Sequence, residues 1–244
     1  KQSERPVLVA GGGVTHSSAQ QEVVAIAEKL SIPVATSLNG KGAIPEDHPL
    51  SVGVVGHYSR WSANRVVGEA DLVIYIGSRT GSVVTNEWTV PAPGTRVVQV
   101  DIDPNELGRN YPTKIAVQAD ARSFLRDLIA AVTDADKGSG EEWIPHVQEI
   151  VKAWHDENST HFNSDAVPMR PERLCKEVTE HLPSDAVLVS DTGHAGIWSG
   201  TIMEMRHPDQ RYIRCAGSLG WGFPGAMGVK CAVPDRPVIC FVGD

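Results

Sequence analysis

The sequence predicts an α/β protein: a parallel-sheet, nucleotide-binding-like domain followed by the first part of a second α/β domain. Three observations predict it. Short β-branched runs alternate with helical patterns over the first half of the chain, glycine clusters close several of those runs, and the alternation restarts after a polar stretch at residues 161–170. At about 150 residues per domain, a chain of 244 residues accommodates two modest domains.

Residues 7–10, Val-Leu-Val-Ala, are an apolar run too short for a helix. Closed by Gly11, Gly12 and Gly13, they read as a buried strand. Ser17 or Ser18 opens the next helix, each with a glutamine three residues on (Gln20, Gln21), as a capping box requires. Val23, Ala27 and Leu30 share one face of that helix, and Pro33 enforces its end. Strands follow at 33–37, 72–76, 96–100 and 115–117, then a helix at 121–132. Residues 133–140 are polar and glycine-bearing, a loop. Residues 143–154 form an amphipathic helix on Trp143, Val147, Ile150, Val151 and Trp154. Few apolar residues mark 161–170 as a linker between domains over 1–160 and 171–244. Pro171 then opens a helix with Leu174 and Val178 on its buried face. Residues 186–189 are a strand, a glycine-marked helix begins near Asp191, a short strand lies at 212–215, a helix at 219–232 and a last buried strand at 238–242.

Thirty acidic against 22 basic side chains leave a net charge of −8, and no Lys/Arg cluster could neutralise a run of phosphates. This composition argues against a nucleic-acid partner. No apolar run approaches the roughly 20 residues of a membrane span, and residues 1–6 lack the apolar stretch of a secretion signal. The expectation is a soluble, cytoplasmic protein without membrane contact. Cys175, Cys215, Cys231 and Cys240 have no C-x-x-C spacing and fall mostly in apolar stretches, as reduced, buried thiols do.

Gly11, Gly12 and Gly13 lie between a strand and a helix, where bare N–H groups suit either a phosphate or a tight turn. Further glycines (Gly40, Gly42, Gly53, Gly56, Gly77) mark other strand ends. Open parallel sheets bind ligands at that edge, so these loops together predict a cofactor groove. In Asp101-Ile102-Asp103-Pro104, Asp101 is assigned to a ligand hydroxyl and Asp103 to capping the next turn. Arg79 either neutralises a diphosphate or makes a weak surface pair. Ala216-Gly217-Ser218-Leu219-Gly220 is one residue from a nucleophile elbow, with Asp191 and His194 as imaginable partners of Ser218. The serine hydrolase so implied is disfavoured, because Ala216 replaces the first glycine and both partners precede the serine.

The segment Asp191-Thr192-Gly193-His194, the glycine-rich 216–228 and the closing Gly243-Asp244, with Arg-Pro-Val near the start and Asp-Ile-Asp-Pro between, resemble one family across the whole chain. It is the thiamine diphosphate (ThDP)-dependent enzymes of the acetolactate synthase, benzoylformate decarboxylase and pyruvate oxidase group. The resemblance implies a central domain with the fold shared by deoxyhypusine synthase and sirtuins, then the start of a diphosphate-binding domain. Gly193 and His194 would meet the diphosphate, the Gly217 carbonyl would accept from the cofactor's pyrimidine amino group, Leu219 would bend the cofactor, and Asp244 would bind Mg²⁺. The family reaction is carbanion and enamine chemistry on a 2-oxo acid, a decarboxylation or carboligation. Flavin-binding members hold FAD through segments matching Gly13, Ser37, Leu38, Gly56, His57, Gly77, Ser78, Arg79, Asp101, Ile102 and Asp120. Thr80-Gly81-Ser82 departs from their pattern, leaving FAD, an ADP-containing ligand or no ligand open, and with them a non-catalytic nucleotide-binding module. The resemblance further implies an internal piece of a longer enzyme, inactive alone, whose active site is completed by the rest of that chain and a second subunit.

Overall fold

A computed structural model describes residues 3–133, 140 and 142–243. The first half runs β1 (Pro6–Ala10), α1 (Gly12–His16), α2 (Gln20–Leu30), β2 (Val34–Thr36), β3 (Ser51–Val54), α3 (Trp61–Glu69), β4 (Leu72–Ile76), β5 (Arg96–Asp101), β6 (Thr113–Gln118), α4 (Ala121–Ala131) and α5 (Trp143–Phe162). The strands make one parallel sheet in the order β3-β2-β1-β4-β5-β6. Alternation along β1 divides its sides: Val7 and Val9 pack with Val66, Val67, Trp143 and Val147 of α3 and α5. Leu8 and Ala10 pack with Val23, Ile26, Leu30 and Leu125 of α2 and α4. A parallel strand covered by helices on both faces must be apolar throughout, which is why 7–10 shows no polar alternation.

The second half runs α6 (Pro171–His181), β7 (Val187–Ser190), α7 (His194–Thr201), β8 (Arg211–Arg214), α8 (Gly222–Ala232) and β9 (Val238–Phe241), with strand order β8-β7-β9, again parallel. One core lies between the halves: Leu38 and Val54 pack with Leu188, Met203, Met205 and Tyr212.

Several expectations are corrected. Ser17 and Ser18 do not cap α2, whose N-cap is Ala19 without a side-chain bond. Ser17 Oγ instead donates back to the Gly13 carbonyl at 2.7 Å, closing the short α1. The strand β3 and helix α3 went unread because Gly53 and Gly56 mimic a loop. In the structure a Cβ on Gly53 would stand 2.6 Å from Arg60 Cδ, so glycine admits the arginine against the strand. Helix α5 continues to Phe162, into the stretch assigned to the linker. Gly220, at φ +81°, delays α8 to Gly222. The strand β9 is half-buried because it forms a sheet edge. All four cysteines are free, yet only Cys175 is buried and Cys231 is exposed. Of the predicted loop at 133–140, residues 134–139 lie outside the described residues.

Candidate functional site

Ligands of open parallel sheets bind beyond the carboxyl ends of the strands, where the strand order reverses. In the first sheet that point lies between β1 and β4. There the backbones touch: a Cβ on Gly77 would stand 2.7 Å from Gly13 Cα, and Gly77 has φ +57°. The Gly13 N–H donates to the Gly77 carbonyl at 2.9 Å. The turns after β1 and β4 thus border a groove of about 950 Å³.

Gly13, Ser37, Leu38, Gly77, Ser78 and Arg79 line this groove, as do Asp101, Ile102 and Asp120. Gly193 and Gly217 reach the same groove from the ends of β7 and β8, so both halves of the chain form one cavity. Gly56 and His57 are not among its walls. Gly56 is pressed against Val83, whose carbonyl oxygen would be 2.1 Å from an added Cβ, and Asn64 bonds both its N–H and its carbonyl. The His57 N–H donates to Val83 and its side chain is exposed. Their neighbours Val55 and Tyr58 line the groove instead. His194 and Leu219 stand exposed beside it, and Leu219 Cδ2 lies 3.5 Å from where Gly193 would carry a Cβ. Asp244 lies outside the described residues.

The aspartates divide as their positions suggest. Asp103 accepts from the Asn105 N–H at 3.0 Å, capping the turn Pro104–Glu106. Asp101 lines the groove, with Oδ1 accepting from the Asp103 N–H. Asp120 also faces it while capping α4 through the Ser123 N–H at 3.0 Å. Arg79 lines the groove and pairs with Glu106 at 3.6 Å.

Asp191 has a role that its sequence does not announce. Its carboxylate accepts from the Thr192 N–H at 2.7 Å and the Gly220 N–H at 2.9 Å. Thr192 Oγ1 donates to the Cys215 carbonyl at 2.7 Å. Two adjacent side chains thereby tie the turn after β7 to the turn carrying Gly217 and Leu219. With its oxygens engaged by backbone, Asp191 bonds no histidine among the described residues, and no triad forms around Ser218 there.

Helix α7 is fixed through its C-terminal half. The Ser199 hydroxyl lies 2.7 Å from Ser190 Oγ and 2.9 Å from Tyr212 Oη, joining it to β7 and β8, and burial pushes the Tyr212 phenol pKa up. At its C-terminus the carbonyls of Gly200 and Thr201 accept from Lys41 Nζ at 3.2 Å and Arg60 Nε at 2.8 Å, cations placed where the helix dipole favours them. Glu46 lies between, 2.7 Å from Lys41 Nζ and 3.6 Å from Arg60, and accepts from the Met205 N–H at 2.8 Å. Burial pushes the Lys41 ammonium pKa down against the pull of Glu46.

Sequence reasoning missed Ile197 and Arg214 as groove residues, whereas Tyr58 belongs to the segment 55–58 that the resemblance placed at the ligand. Arg214 was findable, since it is the last residue of a strand at the ligand-binding edge. Among the described residues, no group of three His, Cys, Asp or Glu gathers to hold a metal, and no helix is long and apolar enough to cross a membrane.

Comparison with known proteins gives two family matches. Residues 1–128 match "Thiamine pyrophosphate enzyme, central domain", and residues 191–244 match "Thiamine pyrophosphate enzyme, C-terminal TPP binding domain". A probable acetolactate synthase large subunit of Methanocaldococcus jannaschii is 36% identical, covering 100% of this chain and 42% of that protein. The acetolactate synthase large subunit of Cyanidium caldarium is 30% identical over 100% of this chain and 41% of its own length. A glyoxylate carboligase of Escherichia coli O157:H7 is 32% identical, also over 100% of this chain and 41% of its own. The chain therefore spans about 42% of the length of such relatives.

Proposed function

Because the chain belongs to the thiamine pyrophosphate enzyme family, we propose that its groove holds ThDP with Mg²⁺ and that the protein carrying it is a cytoplasmic decarboxylase or carboligase acting on a 2-oxo acid. The observation supporting this most directly is the convergence of Gly193 and Gly217, from two adjacent strand ends, on one cavity. Gly193 is the N-cap of α7, and no side chain caps that helix, which suits its first-turn N–H groups to a diphosphate. Gly217 has φ +81° and open space where a Cβ would be, so a ring can approach its backbone closely. Leu219, beside Gly193, has the size and position to bend such a ligand, and His194 adds a donor at the helix start. The strap formed by Asp191 and Thr192 keeps the two turns at a fixed separation. Asp244 is the metal ligand in this reading.

When bound, ThDP supplies the electron sink that carbon–carbon cleavage or joining next to a carbonyl requires. The chain's own residues contribute binding and geometry. The names of the relatives, a synthase and a carboligase, favour carbon–carbon joining. We further propose that other segments of the protein and a second subunit complete the active site, so that this chain alone is inactive.

Asp101 and Asp120 suit ribose hydroxyls and Arg79 a diphosphate, so the part of the groove along the first sheet fits an ADP-containing ligand, FAD included. Isothermal titration of the protein with ThDP and Mg²⁺, and separately with FAD and with ADP, tests the whole reading. ThDP binding that requires Mg²⁺ is expected. Nucleotide binding without any ThDP binding would replace the enzyme by a non-catalytic nucleotide module.

A further inference from the structure

We propose that Arg214 is an oxyanion-recognition residue of the groove, its guanidinium receiving a carboxylate or phosphate of the ligand. Arg214 ends β8 at the carboxyl edge of the second sheet and pairs in register with Ser190, three residues before Gly193. It lines the groove together with Tyr58, whose ring centroid lies 5.9 Å from its Cζ. Its Nε is buried with no hydrogen-bond partner among the described residues. Buried polar atoms are almost always satisfied, and an uncompensated cation is among the costlier exceptions. A guanidinium offers five donors in a planar fork, a geometry that matches carboxylate and phosphate oxygens.

The groove's other charges do not answer this one. Arg79, the other arginine on its walls, already pairs with Glu106. Asp101 accepts from the Asp103 N–H and Asp120 from the Ser123 N–H, and neither carboxylate is within ion-pair distance of Arg214 among the described residues. The tyrosine face below supplies weak cation–π support without satisfying a single N–H. What completes the guanidinium is therefore an acceptor carried by the ligand. A 2-oxo acid and a nucleotide diphosphate both carry one, and their chemistry toward the fork is the same.

The inference stands apart from the assignment of ThDP and is tested on the protein carrying this chain. Wild type, Arg214→Met and Arg214→Lys are titrated calorimetrically with pyruvate and with ADP, and their Tm values are measured without ligand. Loss of a charge-assisted fork predicts an affinity drop of about tenfold in Arg214→Met and a smaller one in Arg214→Lys, which keeps the charge but not the geometry. A drop of about threefold or more in the pyruvate arm names a carboxylate, and in the ADP arm a diphosphate. Because the guanidinium has only the weak Tyr58 contact to lose among the described residues and its Nε is buried without a hydrogen bond, Tm of Arg214→Met is expected to stay level or rise. A fall would mark a structural role, and Arg214→Lys then carries the comparison. Smaller changes in both arms, or wild type binding neither probe, overturn the proposal. Loss of ADP affinity in a protein that binds no ThDP would keep it while removing the preceding reading.

Discussion

Leu219 shows how little its own exposure says about a residue's role. At 78% exposed it contributes almost nothing to the core, yet it stands beside the Gly193 turn at the mouth of the groove. Leu219→Ala is therefore expected to change stability by no more than about 0.5 kcal/mol. In the protein carrying this chain it should lower kcat about tenfold or more through lost ligand geometry while sparing most ThDP affinity. Thermal melting, steady-state kinetics and ThDP titration check the three parts, and an unchanged kcat would remove the positioning role. At this scale the sequence displayed chemistry but not partners. Asp191 could be read as the start of a helix or as a partner of Ser218. Its bonds to the Thr192 and Gly220 N–H groups, the second twenty-nine residues away, exist only once β7 and the turn after β8 are adjacent.

At the scale of elements, the crossing of the turns after β1 and β4 is the constraint that forms the first half of the groove. Gly77→Ala would bring a Cβ to 2.7 Å from Gly13 Cα at a positive φ, both conformational strain and backbone overlap. A loss of about 2–4 kcal/mol is expected, read as a lower denaturant midpoint with unchanged m-value. Substitution without cost would mean that the two turns do not touch. Legibility followed burial pattern. Residues 72–76 are an uninterrupted apolar run and 96–100 carry three valines, and the structure returns them as β4 and β5. Ser51–Val54 contains a glycine that accommodates the Arg60 side chain, a need no local pattern expresses. The serines at 17 and 18 satisfied a capping rule, but α1 ends there first, and its Gly13 carbonyl claimed the Ser17 hydroxyl.

The whole molecule is joined by a buried ionic cluster in which Lys41, Glu46 and Arg60 of the first half meet Glu204 and the end of α7. Burial raises the Glu204 carboxyl pKa, but Arg60 and Arg206 outweigh it and leave the group below the 4.5 of a free glutamate. A carboxylate with a depressed folded pKa binds fewer protons folded than unfolded, so its contribution is present above pH 4.5 and is lost as the pH falls through the folded value. Glu204→Gln should make the acid limb of the stability curve shallower below pH 4.5 and cost about 3–5 kcal/mol near neutrality, where Arg60 loses a buried partner. Denaturation at a series of pH values measures both. An acid limb identical to wild type would mean that the cluster does not couple folding to protonation.

The sequence by itself determined the alternation of strands and helices, the α/β class, the restart after residue 170 and the glycine turns, because these depend on periodicity and on φ angles that single residues set. The motifs also sufficed for the family. Only the tertiary structure decided that turns from two sheets share one groove, that Asp191 straps rather than reacts, and that Arg214 faces this groove with an unanswered donor. Those are relations between residues far apart in the chain, and no local preference encodes a distance that exists only after the two sheets pack around Leu38, Val54 and Met205.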